Sequence, residues 1–376
     1  MMKNHNHKTT SNKTHFGLHV TIEKAVLKNI IEKQELRALN TLTRNDKNAE
    51  QLNFAENVGS VELFSMCKAE HFYRNAKNIF GDDRWRYGQS KILEAIKLGN
   101  RRMLAKAPAA DEFRKLKENF PNFAEVVDVL NGAAALCRLS AEGYLQIPPL
   151  LLLGPPGVGK TAFVQAFGKI AGLPFNRLDI GMSSTGSVLS GLSLDWGTGR
   201  TGQIFNLLTE SEYANPIFML DEIDKSRGNY NAPVEPVLLS LLEPESAICF
   251  KDEAISLPIN TSHIIWIATA NHVDQMSSPL LSRFTVINIE QPNPDQSKQV
   301  IQSIYRKIRD SRPWGFRFPK TLNVEVVGKL CNCPPRLASK NIQQAFGVAA
   351  KNDRTEILLE DLPVHTVKKV NRIGFI

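Results

Sequence analysis

The chain has 376 residues, 42% of them hydrophobic, and a formal net charge of +8 at pH 7. This length gives room for roughly two or three compact units, and no apolar run reaches the ~18 residues that a membrane-spanning helix requires. The first 15 residues lack the apolar stretch of a secretory signal, and five scattered cysteines, an odd number, fit a reducing compartment better than a disulfide scaffold. We therefore expect a cytoplasmic protein with no membrane partner.

The positive charge is concentrated at the amino-terminal end. Up to Pro121 there are 22 Lys and Arg against 14 Asp and Glu, whereas from Asn122 onward the counts are 24 and 24. We expect a disordered polar leader over residues 1–15 and a basic, mostly helical region over 16–121 that recruits a partner. Within it, the spacing of apolar residues predicts helices over 21–42, 61–80 and 89–104.

Cations and aromatic rings alternate in Arg84-Trp85-Arg86-Tyr87, and Arg101-Arg102 follow. This pattern suits stacking against bases and contacts with phosphates, so nucleic acid is a possible partner. It suits equally well cation-π packing on a protein, or a solvated face. The sequence leaves these alternatives open.

A glycine-rich loop follows the apolar run Leu150–Leu153, which we predict to be a buried strand, and precedes a helical pattern over 162–171. The loop fits the pattern G-x-x-x-x-G-K-[ST], in which glycines let consecutive backbone N–H groups surround phosphate oxygens. Lys160 would bind the β- and γ-phosphates and Thr161 a Mg²⁺ ion. A chance turn is the alternative. The eight residues are Gly154, Pro155, Pro156, Gly157, Val158, Gly159, Lys160 and Thr161.

Two acidic residues follow a second predicted buried strand, 217–220. Open α/β sheets bind ligands at the carboxyl ends of their strands, so Asp221 and Glu222 are expected at the same edge as the loop. Asp221 would hold the Mg²⁺ ion through water, and Glu222 would polarise the attacking water. The alternative is that this acidic run caps the next helix.

A third apolar strand, 264–268, brings Asn271 toward that edge, where an amide can sense the γ-phosphate or position water. Arg283 follows a short helical turn and precedes another strand-like run, 285–289. This arginine is badly placed to reach its own nucleotide. It is well placed to reach the nucleotide of a neighbouring subunit, as an arginine finger does.

The segments GPPGVGKT, FMLDEIDK, IATAN and PLLSRF together resemble those of AAA+ ATPases. The stretches 191–199, 242–245 and 250–252 are similar to the ATPase module of Lon proteases, and the likeness covers roughly residues 123–362. The resemblance implies an α/β fold with a parallel five-stranded sheet of order 5-1-4-3-2. This large subdomain is expected over 122–290, and a small helical lid over 291–376.

The resemblance also implies ATP as the nucleotide and a homo-oligomeric, hexameric ring. Lys160, Glu222, Asn271 and Arg283 would serve catalysis, and Arg336 would contact the nucleotide from the lid as a second sensor. Helical spacing over 295–308 and 330–350 supports that lid independently, whereas a plain surface arginine is the alternative for Arg336.

The segment 191–199 corresponds to the part of Lon that projects into the central pore, which makes Trp196 the residue expected to contact a threaded polypeptide. The family usually has an aromatic residue followed by a branched aliphatic one there, but Gly197 follows Trp196 in this chain. A tryptophan packed in the core is the alternative. A second departure is that the chain stops at Ile376, soon after the lid, so we expect no peptidase in it.

Two functions from different classes remain. The first is an ATP-driven ring that remodels or translocates a protein partner, with any proteolysis done by a separate chain. The second is a nucleic-acid-associated ATPase of DNA transactions or phage defence, in which the basic amino-terminal region holds the nucleic acid.

Overall fold

The computed structural model describes residues 57–80, 84–140, 143–182, 185–226 and 233–363. These residues divide into two compact units. The first contains Ser65–Asn100, and the second contains the described residues before and after that segment. The leader expected over 1–15 and the helix predicted over 21–42 lie outside the described residues.

The first unit contains two amphipathic helices, α1 (Met66–Phe80) and α2 (Arg84–Leu98). Their apolar faces are buried, as the helical spacing of the sequence predicts, and the Gln89 side chain donates a hydrogen bond to the Tyr73 carbonyl at 3.0 Å. The buried side chains are those of Ala69, Phe72, Ala76, Ile92, Ala95 and Ile96.

Two strands flank these helices in the chain, β1 (Asn57–Glu62) and β2 (Arg101–Ala105), and they pair antiparallel in the second unit. The prediction of helix over 61–80 is therefore wrong at its start, and the prediction over 89–104 is wrong at both ends. Gly99, with φ of 83°, ends the helical run before β2. The error has a physical reason, because a strand's pairing partner lies far away in the sequence and leaves no signal in a local window.

The second unit is built on a five-stranded parallel sheet, and a short separate hairpin of two strands accompanies it. The sheet contains β3, β4, β5, β8 and β9, and the hairpin contains β6 and β7. The strands are β3 (Leu150–Leu153), β4 (Phe175–Asp179), β5 (Ile217–Asp221), β6 (Phe250–Lys251), β7 (Pro258–Ile259), β8 (Ile265–Ala270) and β9 (Thr285–Asn288).

The strands of the sheet follow the order β4-β5-β8-β3-β9, and every neighbouring pair is parallel. Numbered one to five along the chain, this is the order 5-1-4-3-2, so the predicted α/β fold class is confirmed. β5 and β8 are buried along their whole length, as central strands covered on both faces must be. Their carboxyl ends meet at one edge.

Helices connect these strands and precede the sheet. They bury apolar side chains against it, among them Phe163 and Phe167 of the helix that follows β3. The helices are α3 (Ala110–Asn119), α4 (Ala124–Leu139), α5 (Lys160–Ala171), α6 (Ser187–Ser190), α7 (Gln203–Glu210), α8 (Glu235–Leu242), α9 (Pro244–Ala247) and α10 (Ser278–Leu281).

Three more helices end the described chain, α11 (Pro294–Asp310), α12 (Val324–Leu330) and α13 (Pro335–Lys351). They surround a hydrophobic cluster of their own, in which the rings of Tyr305 and Phe346 stack at 5.2 Å. A capping box formed by Asn293 and Gln296 begins α11. These helices match the two helical patterns read from the sequence over 295–308 and 330–350.

The expected boundary between residues 121 and 122 does not coincide with the division between the two units. β1, β2 and α3 belong to the second unit. The buried side chain of Asn215 fixes β2 there, since it accepts from the Ala105 N–H at 3.0 Å and donates to the Ala105 carbonyl at 3.3 Å. No helix in the described part of the chain has both the length and the apolar character that crossing a membrane demands.

Candidate functional site

The glycine-rich loop lies between β3 and α5, as the sequence predicts. Gly157 and Gly159 have φ of 82° and 110°, in the left-handed region that favours glycine. A Cβ atom on Gly154 would lie 2.2 Å from the carbonyl oxygen of Ile289, so the close approach of the residue after β9 excludes any side chain there. The loop thus has the tight backbone path that a phosphate cradle requires, and it ends at the positive end of α5.

Lys160, the first residue of α5, is buried with its ammonium group inside the loop. Its Nζ donates to the carbonyl oxygens of Gly154 and Pro155 and, at 3.0 Å, to Oδ1 of Asn271. Burial lowers the pKa of Lys160, and the carboxylates of Asp221, Asp224 and Glu222 oppose that shift. The structure therefore brings the lysine and the amide from β8 into direct contact.

Asp221 is the last residue of β5 and lies beside Asp179 of β4 in the sheet register. The Thr161 hydroxyl donates to its Oδ2 at 3.3 Å, and the Thr269 hydroxyl donates to its Oδ1. Nη2 of Arg177 lies 2.6 Å from the same Oδ2. Asp221 is the meeting point of three strands and of α5.

The Thr161 hydroxyl and the Asp221 carboxylate fit a Mg²⁺ ion. Both supply oxygen atoms, the ligands that this small hard cation prefers, and the two groups are close enough to share one ion. They are the residues that the sequence assigns to the metal.

Glu222 has φ of 56° and ψ of 46°, an unusual left-handed conformation for a residue with a long side chain. Its backbone N–H donates to Thr269 Oγ1 at 3.2 Å, which fixes the turn, and its carboxylate forms an ion pair with Lys225. Strained backbone conformations cluster at functional sites because the surrounding structure must hold them in place. The backbone therefore turns directly after Asp221, where β5 ends.

Three residues of this site were missed by the sequence analysis. Arg177 contacts Asp221, Thr269 bridges Asp221 and the Glu222 backbone, and buried Asp224 accepts from the backbone N–H groups of Asn271 and His272 at 3.2 and 3.3 Å. Asp224 lies in the segment FMLDEIDK and Thr269 in the segment IATAN. Their polar side chains, at or just after the ends of predicted strands, could therefore have been assigned to the site from the sequence. Arg177 carries no local signal, because its role depends on the pairing of β4 with β5.

One cleft is lined by Lys160, Thr161, Arg177, Asp221, Glu222, Thr269 and Asn271, and Asp224 lies behind its lining. The cleft also includes Phe120 and Asn122 from the segment before α4, Ile304 and Ile308 of α11, and Arg336. Arg336 lies at the start of α13, and its Cβ atom is 3.8 Å from the position that a Cβ atom on Gly157 would occupy. The lid arginine therefore lies beside the glycine-rich loop.

Arg283 follows α10 and does not line this cleft within the described residues. Its Nη1 donates to the Pro279 carbonyl at 2.7 Å, and its Nη2 lies 3.0 Å from Oε2 of Glu243. The structure separates Arg283 from the residues that gather around Lys160, as the sequence predicts.

Trp196 lies at the tip of a short hairpin, and 67% of its surface is exposed. The alternative of a tryptophan packed in the core is therefore wrong. Leu192 and Arg200 form the bridge of this hairpin, which also stands apart from the described residues of the cleft.

The basic residues considered for nucleic-acid contact are placed unevenly. Arg102 is buried, and its guanidinium donates to the carbonyl oxygens of Leu208 and Thr209 at 3.0 Å each, so neither the nucleic-acid contact nor the solvated face that the sequence left open fits this residue. Arg101 is exposed and donates to the Ser60 carbonyl at 2.8 Å. Arg86 lies over the ring of Trp85 at 5.7 Å, the cation-π arrangement that was an alternative from the sequence.

Residues 150–291 match the model of the ATPase family associated with various cellular activities, AAA. They form an AAA domain. The AAA family supports ATPase activity and nucleotide binding, which agrees with the loop, the acidic strand end and the cleft described above.

Curated relatives of the AAA domain are Lon proteases. The chain is 32% identical over 154 residues to one from Porphyromonas gingivalis, which covers 41% of this chain and 18% of that protein. It is 31% identical over 199 residues to one from Nitrosococcus oceani, covering 52% of this chain and 25% of that protein. The chain thus spans about a fifth of the length of the curated relatives it matches.

Among solved structures, the RuvB Holliday junction branch migration motor of Thermotoga maritima matches with a TM-score of 0.43 and 16% identity. The match covers 68% of this chain and 67% of that one. This likeness is too low to support an argument about function.

Proposed function

We propose that this chain hydrolyses ATP as a subunit of a homo-oligomeric, hexameric ring that remodels or translocates a protein partner. One observation carries the proposal. Lys160, Thr161, Asp221, Glu222 and Asn271 gather at a single edge of the sheet, while Arg283 lies outside their cleft within the described residues. The gathered residues would hold the phosphates, the metal ion and the attacking water, and Arg283 would add a further cation from an adjacent subunit.

The glycine-rich loop would hold the phosphates of ATP, since its left-handed glycines bring backbone N–H groups together at the start of α5. The ammonium of Lys160 would exchange its carbonyl partners for the β- and γ-phosphate oxygens. Arg336 would contact the phosphates from the lid, which links the position of α13 to the nucleotide.

Thr161 and Asp221 would hold the Mg²⁺ ion. When bound, this ion neutralises charge on the phosphate oxygens. Arg177 already neutralises Asp221 through its 2.6 Å contact, so binding of the ion requires that this ion pair open or rearrange.

Glu222 would accept a proton from the attacking water as its oxygen forms a bond to the γ-phosphorus. The bond between that phosphorus and the bridging oxygen breaks, and the products are ADP and phosphate. Its ion pair with Lys225 has to open for this step, because a carboxylate fully engaged with an ammonium is a weak base. Asn271 would orient the γ-phosphate or the water through its contact with Lys160.

Arg283 would complete the site of the adjacent subunit. The Arg283 guanidinium would either release the Glu243 carboxylate or bind the phosphate of the neighbouring subunit while it keeps its contact with Glu243. A guanidinium that enters only when two subunits meet makes hydrolysis dependent on ring formation.

The exposed Trp196 hairpin supports a protein rather than a nucleic acid as the partner. A large apolar side chain presented to solvent on a narrow hairpin offers contact to many different side chains of a threaded polypeptide. Lon proteases, to which the AAA domain is similar, carry a corresponding segment. The alternative of a nucleic-acid partner is weakened, because Arg102 is buried.

Complementation between two inactive variants tests the shared site. Glu222→Gln should bind ATP and not cleave it, and Arg283→Ala should lose most turnover. In mixed rings, an Arg283→Ala subunit retains Glu222 and receives Arg283 from its Glu222→Gln neighbour, so mixing should restore turnover. If mixing restores nothing, or if Arg283→Ala turns over normally as a monomer, the proposed shared site is wrong.

The partner class is tested by comparing stimulation of ATP turnover by unfolded casein with stimulation by duplex and single-stranded DNA. We expect stimulation by casein only. Stimulation by DNA alone, with binding that weakens steeply as salt rises, would replace the protein partner by nucleic acid.

A further inference from the structure

The Trp196 hairpin is a closed loop with a narrow neck. Leu192 and Arg200 exchange both backbone hydrogen bonds, at 2.8 and 3.0 Å, and the Gly199 N–H donates to the Trp196 carbonyl at 2.9 Å. Gly191 and Gly202 form the neck, where the hairpin joins α6 and α7. The backbone of the hairpin joins the rest of the domain at these two glycines, and the Thr201 hydroxyl adds a hydrogen bond to Asn206 of α7 at 2.8 Å.

Asp252, from the turn after β6, lies against both sides of this neck. Its side chain is completely buried, with 0% exposure, and its Oδ2 accepts from the Gly202 N–H at 2.7 Å. Its Oδ1 accepts from the Ala254 N–H at 2.9 Å, which fixes the orientation of the carboxylate. A Cβ atom on Gly191 would lie 2.6 Å from Oδ1, so the carboxylate packs directly against the other side of the neck.

The glycines are required by this packing. Gly191 has φ of 81°, and a Cβ atom on Gly202 would lie 2.0 Å from the Leu189 carbonyl oxygen. The two chains of the neck approach each other too closely for side chains, and the Asp252 carboxylate fills the space beside them. No other residue type at these two positions preserves the geometry.

The turn that carries Asp252 is itself tied to the residue before the hairpin. The Glu253 N–H donates to the Ser190 carbonyl at 2.7 Å, and the Ser190 hydroxyl donates to Oε1 of Glu253 at 3.2 Å. Asp252 and Glu253 thus contact the residues just before and just after the hairpin. The hairpin is held at its base by one short segment of the β6–β7 turn.

A buried carboxylate is a costly way to close a loop. Burial raises the pKa of Asp252 to about 6, although backbone N–H groups of Gly202, Ala254 and Ile255 oppose that shift. Hydrogen bonds from backbone N–H groups therefore do not fully replace the lost hydration. A charged acceptor forms stronger hydrogen bonds than a neutral one, so the Asp252 carboxylate holds the Gly202 N–H more firmly than an amide oxygen would.

We propose that Asp252 is a positioning residue that holds the neck of the Trp196 hairpin closed, so that movement of the domain is transmitted to Trp196. The inference rests on the proposed function, since it assigns to Trp196 a contact with the polypeptide partner. Asp252 touches neither ATP nor the partner and acts only through Gly191 and Gly202.

Trypsin cleavage after Arg200 tests the neck without reference to any partner. Opening of the neck exposes this bond, and cleavage follows the population of the open form. We expect Asp252→Asn to raise the cleavage rate by about tenfold, the effect of losing one hydrogen bond to a charged group. Glu253→Gln is the matched control, because it removes one charge from the adjacent residue and keeps an oxygen for the Ser190 hydroxyl. An unchanged cleavage rate in Asp252→Asn would overturn the proposal.

Hydrogen exchange in the parental protein covers the case in which Asp252→Asn does not fold. The Gly202, Leu192 and Arg200 N–H groups should exchange slowly, at rates similar to those in α7. Fast exchange of Gly202 would show that the carboxylate does not hold the neck and would overturn the proposal.

The ratio of casein-stimulated to basal ATP turnover tests whether Asp252 is needed to transmit movement of the domain to Trp196. We expect Asp252→Asn to lose the stimulation that Trp196→Ala also loses, with basal turnover of Asp252→Asn near the parental value. A disulfide between Leu192→Cys and Arg200→Cys would close the hairpin directly beside the neck, since this hydrogen-bonded pair has the Cα separation that a disulfide accepts. After oxidation, this disulfide should restore stimulation to Asp252→Asn. Persistent loss after verified oxidation would contradict a positioning role.

The outcomes distinguish failure of the proposed Trp196 contact from failure of the positioning role of Asp252. If Trp196→Ala retains full stimulation, the proposed contact with the polypeptide fails, whatever Asp252→Asn does. If Trp196→Ala loses stimulation while Asp252→Asn keeps it, the positioning role of Asp252 alone fails.

Discussion

The ammonium nitrogen of Lys160 lies 3.0 Å from the side-chain oxygen of Asn271, although 111 positions separate the two residues in the chain. The contact exists because β3 and β8 are neighbours in the sheet, with Leu153 opposite Ala270. In the proposed site, the lysine and the amide would therefore respond together to a change at the γ-phosphate.

Asn271→Ala should lower kcat for ATP by about 100-fold, the usual effect of removing one preorganised polar group at a reacting phosphate or carbonyl. The Kd for ATP should change little, because the glycine-rich loop remains. Steady-state turnover and equilibrium nucleotide binding measure the two effects. His272→Ala is the control, since His272 contributes only its backbone N–H to Asp224. Normal kcat in Asn271→Ala would remove this residue from the mechanism.

Gly154→Ala should disrupt the cleft by steric overlap, because its Cβ atom would lie 2.2 Å from the Ile289 carbonyl oxygen. Overpacking of this kind costs about 1–3 kcal/mol in unfolding free energy and shifts the loop away from β9. Denaturant unfolding and nucleotide affinity should both decrease. Gly197→Ala provides the comparison, as nothing lies within 4 Å of its added Cβ atom. Equal behaviour of the two variants would contradict the described packing.

Arg102→Ala should reduce the free energy of unfolding by about 2–4 kcal/mol, since it leaves the buried carbonyl oxygens of Leu208 and Thr209 without their guanidinium partner. Arg101→Ala, at an exposed position on the same strand, should cost only about 0.5 kcal/mol. Urea unfolding distinguishes them. A larger effect from Arg101 would mean that the burial of Arg102 is not the origin of its stabilisation.

The pKa of Asp252 predicts a dependence of stability on pH. The folded pKa of about 6 exceeds the ordinary value of 3.8, so the folded state binds the proton more tightly than the unfolded state. The stabilising contribution of protonation is fully present below pH 3.8 and is lost as the pH rises through 6. The unfolding free energy of the parental chain, minus that of Asp252→Asn, should fall by up to about 3 kcal/mol across this window.

Urea unfolding at a series of pH values measures this difference. Glu253, which raises the pKa of Asp252 further through its charge, should be replaced by Gln in a parallel pair of variants. That pair should show a smaller fall. A difference that is constant or rises with pH would have the wrong sign.

The sheet and the nucleotide residues could be predicted because their signals are local. A short apolar run followed by glycine or polar residues marks the strand Leu150–Leu153 and the acidic pair Asp221 and Glu222. The strand order itself came from the family resemblance. Arg177 could not be found, since its contact with Asp221 depends on a pairing between β4 and β5 that no local pattern encodes.

The amino-terminal region shows the limits of periodicity. Arg102 lies on β2 and is buried by α7, more than a hundred positions away, yet its neighbours continue the apolar spacing of α2. The sequence therefore predicts a helix that continues to residue 104, and it does not reveal that Arg102 is buried. The hydrogen-bond partners of the buried guanidinium are backbone carbonyl oxygens of a distant helix. No particular residue type is needed to supply them, so the sequence contains no pattern that reveals the contact.

The pairing of β1 with β2 has one more consequence. Glu62 and Arg101 face each other across this ribbon, so the segment Ser65–Asn100 leaves the second unit and returns to it at adjacent points. We expect that this segment can be shortened to a tight turn, or exchanged for a foreign domain whose termini are close, without breaking a strand of the second unit.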